Sequence, residues 1–150
     1  MDDIQKVLVK AGRKDLAQKY YEKVVGNKAN GIVVDIETDT INNNFFRKVL
    51  FTGKNSQLVL MSIKPKEDIG EEVHNVDQFF RIDQGTGQVI INGIKHSIKD
   101  GSAFVVPSGS KHNVINTGNK DLKLYSVYSP PQHKAGTIHK TKKEAMAEEE

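Results

Sequence analysis

Cysteine is absent from the 150 residues. That excludes disulfides and thiolate metal sites, so any metal must rest on histidine, carboxylate or amide oxygen. No apolar run approaches the roughly 18 residues of a membrane-crossing helix, and no membrane partner is expected. The opening Met-Asp-Asp carries no apolar stretch with a small-residue cleavage site, so the expected location is cytoplasmic. The formal net charge is only +3, too small to point to nucleic acid. No internal repeat is visible. Hydrophobic residues make up 37% and charged residues 27%, which suits one soluble globular domain with a sizeable core.

What is present falls into three parts: a helical segment at 1–28, a β-rich body at 31–130 and a tail at 131–150. In the first part Ile4, Val7, Leu8 and Ala11 recur at helical spacing, as do Ala17, Tyr20, Tyr21 and Val24. The second part holds short runs rich in Val, Ile, Phe and Tyr, such as GIVVDIE, FFRKVLFT, QLVLMSIK, QFFRID, SAFVVP and LKLYSVYS. Gly, Asn, Asp and Lys clusters separate them, which predicts many short strands and a sandwich or barrel. The tail opens with Pro130 and Pro131, which end the last strand, and its Lys-rich then Glu-rich end suits a short helix or a disordered terminus.

The stretch DGSAFVVPSGSKHNVINTG, residues 100–118, is the most informative. Asp100-Gly101 suits a tight turn before a strand at 103–106. Pro107 cannot donate to a sheet ladder and stops that strand. Gly109 permits the reversal, and a new strand starts at His112. Alternation puts His112, Val114 and Asn116 on one face.

The spacing of Gly101, Pro107, Gly109, His112 and Asn116 resembles the second sequence motif of the cupin family. Upstream, KEDIGEEVHNVDQFFRIDQGTG is similar to the first cupin motif. There His74 matches the second metal-binding histidine, and Gly85 follows Gln78 by the family's interval. Glu72 stands where the family has its first histidine, Gln78 where it has a glutamate, and Lys66 where it has a leading glycine. The resemblance covers roughly residues 41 to 128. It implies a mainly β fold, the cupin-type double-stranded β-helix or jelly-roll barrel, with a short N-terminal helical segment. It also implies a divalent metal ion, Fe, Mn, Ni or Zn, held by Glu72, His74, Gln78 and His112.

Parity agrees with that set: 72 and 74 share one strand face, and Gln78, Phe80 and Ile82 another. Alternation turns Asp77 away. His74, His112 and Glu72 together have the composition of a two-histidine, one-carboxylate site. His133 and His139, in PPQHKAGTIH, are expected on a surface loop, the alternative being a tail that folds over the barrel mouth and places a histidine near substrate; His96 is expected on the surface beside a hairpin turn. Tyr125 and Tyr128 have opposite parity, so at most one faces inward, as core. The GTG at 85–87 is expected to be a hairpin turn. The basic residues of the first segment suit a solvated helix face.

The expected function is that of a metal-binding cupin, as a metal-dependent isomerase, epimerase or dioxygenase of a sugar derivative or a hydroxy or keto acid. The alternative is a non-catalytic small-molecule-binding or structural module. No catalytic base is named by the sequence. The expected partners are a small-molecule ligand and a second copy of the chain, since symmetric dimers are common.

Overall fold

The computed structural model describes residues 31–148 together with Val7, Lys10, Gly12 and Arg13; the predicted helical segment at 1–28 otherwise lies outside the described residues. The first described element corrects an expectation. GIVVDIE does not form a strand; helix α1 spans Ile36–Asn42. Asp35 caps it, its carboxylate accepting from Thr38 N, and Glu37 and Asp39 complement the positive end of the helix. The β-branched run before Asp35 finds no ladder partner, and Val33 is fully exposed. Propensity alone did not make a strand there.

Nine strands follow among the described residues: β1 Arg47–Thr52, β2 Gln57–Ile63, β3 Asp77–Gln84, β4 Thr86–Ile91, β5 Ile94–Lys99, β6 Ala103–Val106, β7 His112–Asn116, β8 Leu122–Ser129 and β9 Ile138–His139. Helix α2, Lys142–Glu148, closes the described chain. Six strands form one antiparallel sheet in the order β6-β3-β8-β2-β1-β9, and three form another in the order β5-β4-β7. The inner faces meet in a core that includes Val59, Met61, Ile82, Val89, Val114 and Leu124. Each such side chain contributes roughly 1.5–3 kcal/mol on burial. This is the two-sheet jelly roll expected from the sequence.

The GTG segment is corrected too. β3 pairs with β6 and β8, whereas β4 pairs with β5 and β7. Gly85 (φ 96°) therefore turns a corner between sheets and makes no hairpin. A Cβ at Gly87 would lie 2.4 Å from the Ile115 carbonyl oxygen, so only glycine fits that close crossing. The hairpin turn lies at Asn92-Gly93, both at positive φ, between β4 and β5. His96 is exposed on β5, as expected.

The tail is built into the fold. Gln57 is fully buried; its amide nitrogen donates to Thr52 Oγ1 and the His133 carbonyl, and its oxygen accepts from the Gln132 and His133 amides. Beyond that clamp, β9 adds to the edge of β1, and Ala145 of α2 enters the core. No helix among the described residues is long and apolar enough to cross a membrane.

Candidate metal centre

His112 is delivered by the turn that its preceding residues predict. β6 stops before Pro107, Gly109 sits at φ 84°, and Ser110 N donates to the Pro107 carbonyl at 3.1 Å. In β7 the residues His112, Val114 and Asn116 are all buried. Asn116 is structural: its amide nitrogen donates to the Ile63 and Lys120 carbonyls, and its oxygen accepts from Gly118 N. His112 Nδ1 lies 2.9 Å from the Ser110 carbonyl oxygen. A carbonyl only accepts, so Nδ1 carries the proton and Nε2 presents its lone pair.

Glu72 and His74 come from a segment beside β7 that is tied to it by bridges at Asp68–Ile115 and Glu72–His112. Gly109 N donates to the His74 carbonyl at 2.8 Å. One ligand atom from each of Glu72, His74 and His112 lies within 4.8 Å of the others. His74 Nε2 donates to Glu72 Oε2 at 2.6 Å, and the two imidazole centroids are 5.5 Å apart. His74 and Glu72 are half-buried, whereas His112 is buried. Burial pushes the Glu72 carboxyl up, but the His74 hydrogen bond, with the Arg47 guanidinium nearby, outweighs it. The net result is a lowered pKa, and the carboxylate is ionised at neutral pH.

Gln78 occupies the inward face of β3, paired with Tyr128 of β8, and is buried. Its amide oxygen has no hydrogen-bond partner among the described residues. Asp77 turns outward, where its carboxylate accepts from Ser108 N. Of the two tyrosines only Tyr128 is buried.

Three residues were missed or misplaced by sequence reasoning. Arg47 is 2% exposed. Its Nη2 lies 3.8 Å from Glu72 Oε1, and its Nη1 donates to His139 Nδ1 at 3.2 Å. Alternation with buried Val49 was the available signal for an inward Arg47. His139 is buried, not on a surface loop; accepting from Arg47 at Nδ1, it donates from Nε2 to Glu148. His133 is half-buried, with Nε2 3.2 Å from the Tyr128 hydroxyl and the two rings edge-on. Burial, with the Arg47 charge next, lowers the His133 pKa to about 4. Burial raises that of Tyr128, the nearby Glu72 charge adding to it while Arg47 and the Gln78 amide pull the other way. At neutral pH both groups are therefore uncharged.

An open cavity of about 560 Å³ lies at the other end of β3, lined by Glu37, Asp83, Asp100 and others. Its carboxylates do not approach closely enough to form a second cluster; among the described residues only Glu72, His74 and His112 do.

The Cupin domain profile matches residues 59–128, which run from β2 through β8 and contain all three clustered donors. The chain is 46% identical to BH2720 from Bacillus halodurans, whose crystal structure superposes with a TM-score of 0.78 over 79% of this chain and 95% of that one. This chain belongs to the cupin superfamily. The cupin is also 49% identical over 146 residues to the uncharacterized protein YrkC of Bacillus subtilis, covering 91% of this chain and 78% of that one. It is 41% identical over 121 residues to the uncharacterized protein L612 of Acanthamoeba polyphaga mimivirus, covering 77% and 75% respectively. Two imidazoles and a carboxylate, one imidazole held in the ligating tautomer, form a donor set that fits a divalent metal.

Proposed function

We propose that this cupin is a metal-dependent enzyme acting on a small oxygenated molecule, a sugar derivative or a hydroxy or keto acid. The observation that carries the reading is the convergence of the Glu72, His74 and His112 donors within 4.8 Å. These residues would hold a divalent Fe, Mn, Ni or Zn ion, all of which suit nitrogen and oxygen donors without thiolate. A bound ion would supply Lewis-acid polarisation of a substrate carbonyl or hydroxyl. Gln78, buried on β3 of the facing sheet, would complete or orient the site. His112 stays aligned because its Nδ1 proton is held by Ser110.

The chain also supplies groups for moving a proton. His133, uncharged at neutral pH, and Tyr128, which keeps its phenolic proton, form a hydrogen-bonded pair beside the His74 ring. A neutral imidazole accepts a proton and a phenol donates one, the two roles an isomerisation or epimerisation needs. The reading carries with it a cytoplasmic homodimer.

The test is elemental analysis after reconstitution with Fe, Mn, Ni and Zn in turn, followed by NMR of sugar derivatives and hydroxy acids incubated with the loaded protein. One ion per chain, lost in His74→Ala, and turnover lost with it, support the proposal. Failure to retain any of the four ions removes it. Metal binding with ligand-induced stabilisation but no turnover would leave a binding module.

A further inference from the structure

We infer that Arg47 makes the centre selective for an anionic ligand, a small carboxylate bearing a hydroxyl on the adjacent carbon. The inference rests on the proposed metal site and names its substrate class.

Two buried polar groups beside the cluster lack partners, and their needs are opposite. Arg47 Nε, on a guanidinium that borders the Glu72 carboxylate, has no acceptor among the described residues. Gln78 Oε1 has no donor among them. Both side chains are 2% exposed, so water does not easily stand in, and buried polar groups are normally satisfied. Tyr128 links the two places. It is paired with Gln78 across the ladder, and its hydroxyl feels the charges of both Arg47 and Glu72. A carboxylate gives the guanidinium its acceptor, and a neighbouring hydroxyl gives the amide oxygen its donor.

Charge points the same way. Arg47 offsets the Glu72 carboxylate, while His133 is neutral. Glu72 is the one carboxylate that the cluster itself would offer a divalent ion. The Glu148 carboxylate lies beyond His139 with its side chain 59% exposed, where solvent screens it. An anionic ligand supplies the missing charge where it is worth most. Arg47 is held for this role by the His139–Glu148 pair, which fixes one edge of the guanidinium and leaves Nε free.

The experiment uses the Ni-loaded full-length protein and calorimetric titration with three probes: L-lactate, lactamide, which lacks the charge, and propionate, which lacks the hydroxyl. Lactate is expected to bind roughly tenfold or more tighter than either, as for the loss of one charge-assisted hydrogen bond. Arg47→Met is expected to keep one nickel per chain and to lose lactate binding by a similar factor, with lactamide unchanged. If that variant does not fold, Arg47→Lys keeps the charge without the planar fork and is expected to weaken lactate roughly fivefold or more. Equal binding of lactate and lactamide, or lactate affinity untouched in the Arg47 variant that folds, overturns the inference. If nickel is not retained, Fe, Mn or Zn is loaded in its place, and if none of the four is retained the metal reading fails by itself. Lactate is then titrated into the metal-free protein, where binding that Arg47→Met abolishes supports the anion site and binding it leaves intact, or no binding to wild type, overturns it.

Discussion

Glu72 and His112 exchange both backbone hydrogen bonds, each N···O distance being 2.9 Å. In an antiparallel pair of this kind the two side chains leave the same face about 5.5 Å apart at Cα. Two donors, forty residues apart in sequence, are thus positioned by backbone alone, before any metal arrives. His74, two residues on, closes the group through its hydrogen bond to Glu72.

Such preorganisation predicts a large thermal response to metal. An ion present at roughly a hundred times its Kd would stabilise the fold by about 2.7 kcal/mol. Differential scanning fluorimetry with Ni or Zn should show the rise, and EDTA should reverse it. His112→Ala should show none, while its metal-free melting temperature stays within several degrees of the metal-free wild type.

The Gln57 clamp predicts a different kind of failure. With four hydrogen bonds and no exposure, Gln57 joins β2 to Gln132 and His133 of the tail. Gln57→Ala leaves buried backbone groups unpaired and should cost about 2–4 kcal/mol. The tail should loosen first, so limited trypsin digestion should cut at Lys134 well before the barrel. Uniform loss of all fragments, with no early cut at Lys134, would show that the clamp does not act locally.

The contrast between His112 and His133 shows what a sequence carries. Pro107, Gly109 and His112 act through local backbone chemistry, so the turn and the inward histidine were legible from their spacing. Alternation likewise placed Gln78, Phe80 and Ile82 on the buried face of β3. His133 is placed by Gln57, 76 residues away, and nothing in PPQHK announces that partner. A lone strand arginine is normally solvated, whereas Arg47 is received by His139 and Glu72. The GTG segment looked like a hairpin because a local turn does not encode which sheet the next strand joins. The run before Asp35 read as strand from its β-branched residues, and only the absence of a partner strand decided otherwise.

His133 should make the metal-free protein sensitive to mild acid. Its folded pKa of about 4 lies below the usual 6.5. Between those values the unfolded chain binds the proton and the folded one does not, so stability rises with pH across that window. Falling from 6.5 to 4 should remove about 3 kcal/mol, with no further loss from this group below. His133→Phe should flatten that part of a urea-denaturation pH series measured with EDTA. Asp68 and Glu72, whose pKa values are lowered, lose their contributions at more acid pH, and the variant should retain those losses. A slope unchanged in the variant would show that His133 titrates normally.

Asp83 presents the opposite sign at the far end of β3. Burial raises its carboxyl, and although Arg81, 3.6 Å away, draws it down, Glu37 and Asp100 add to the rise. The Thr40 hydroxyl, which also draws it down, is the smallest of these influences. A carboxyl raised above its unfolded value stabilises the fold only while protonated, and that contribution disappears as pH climbs through the folded pKa. At neutral pH Asp83 is therefore a strained charge, and Asp83→Asn should stabilise the protein by about 1 kcal/mol. The gain should shrink as the medium falls below the usual aspartate range, because wild type then carries a neutral group as well. Chemical denaturation of both proteins at neutral and acid pH measures the difference. A loss of stability at neutral pH would mean that the Arg81 ion pair outweighs burial and the two neighbouring carboxylates.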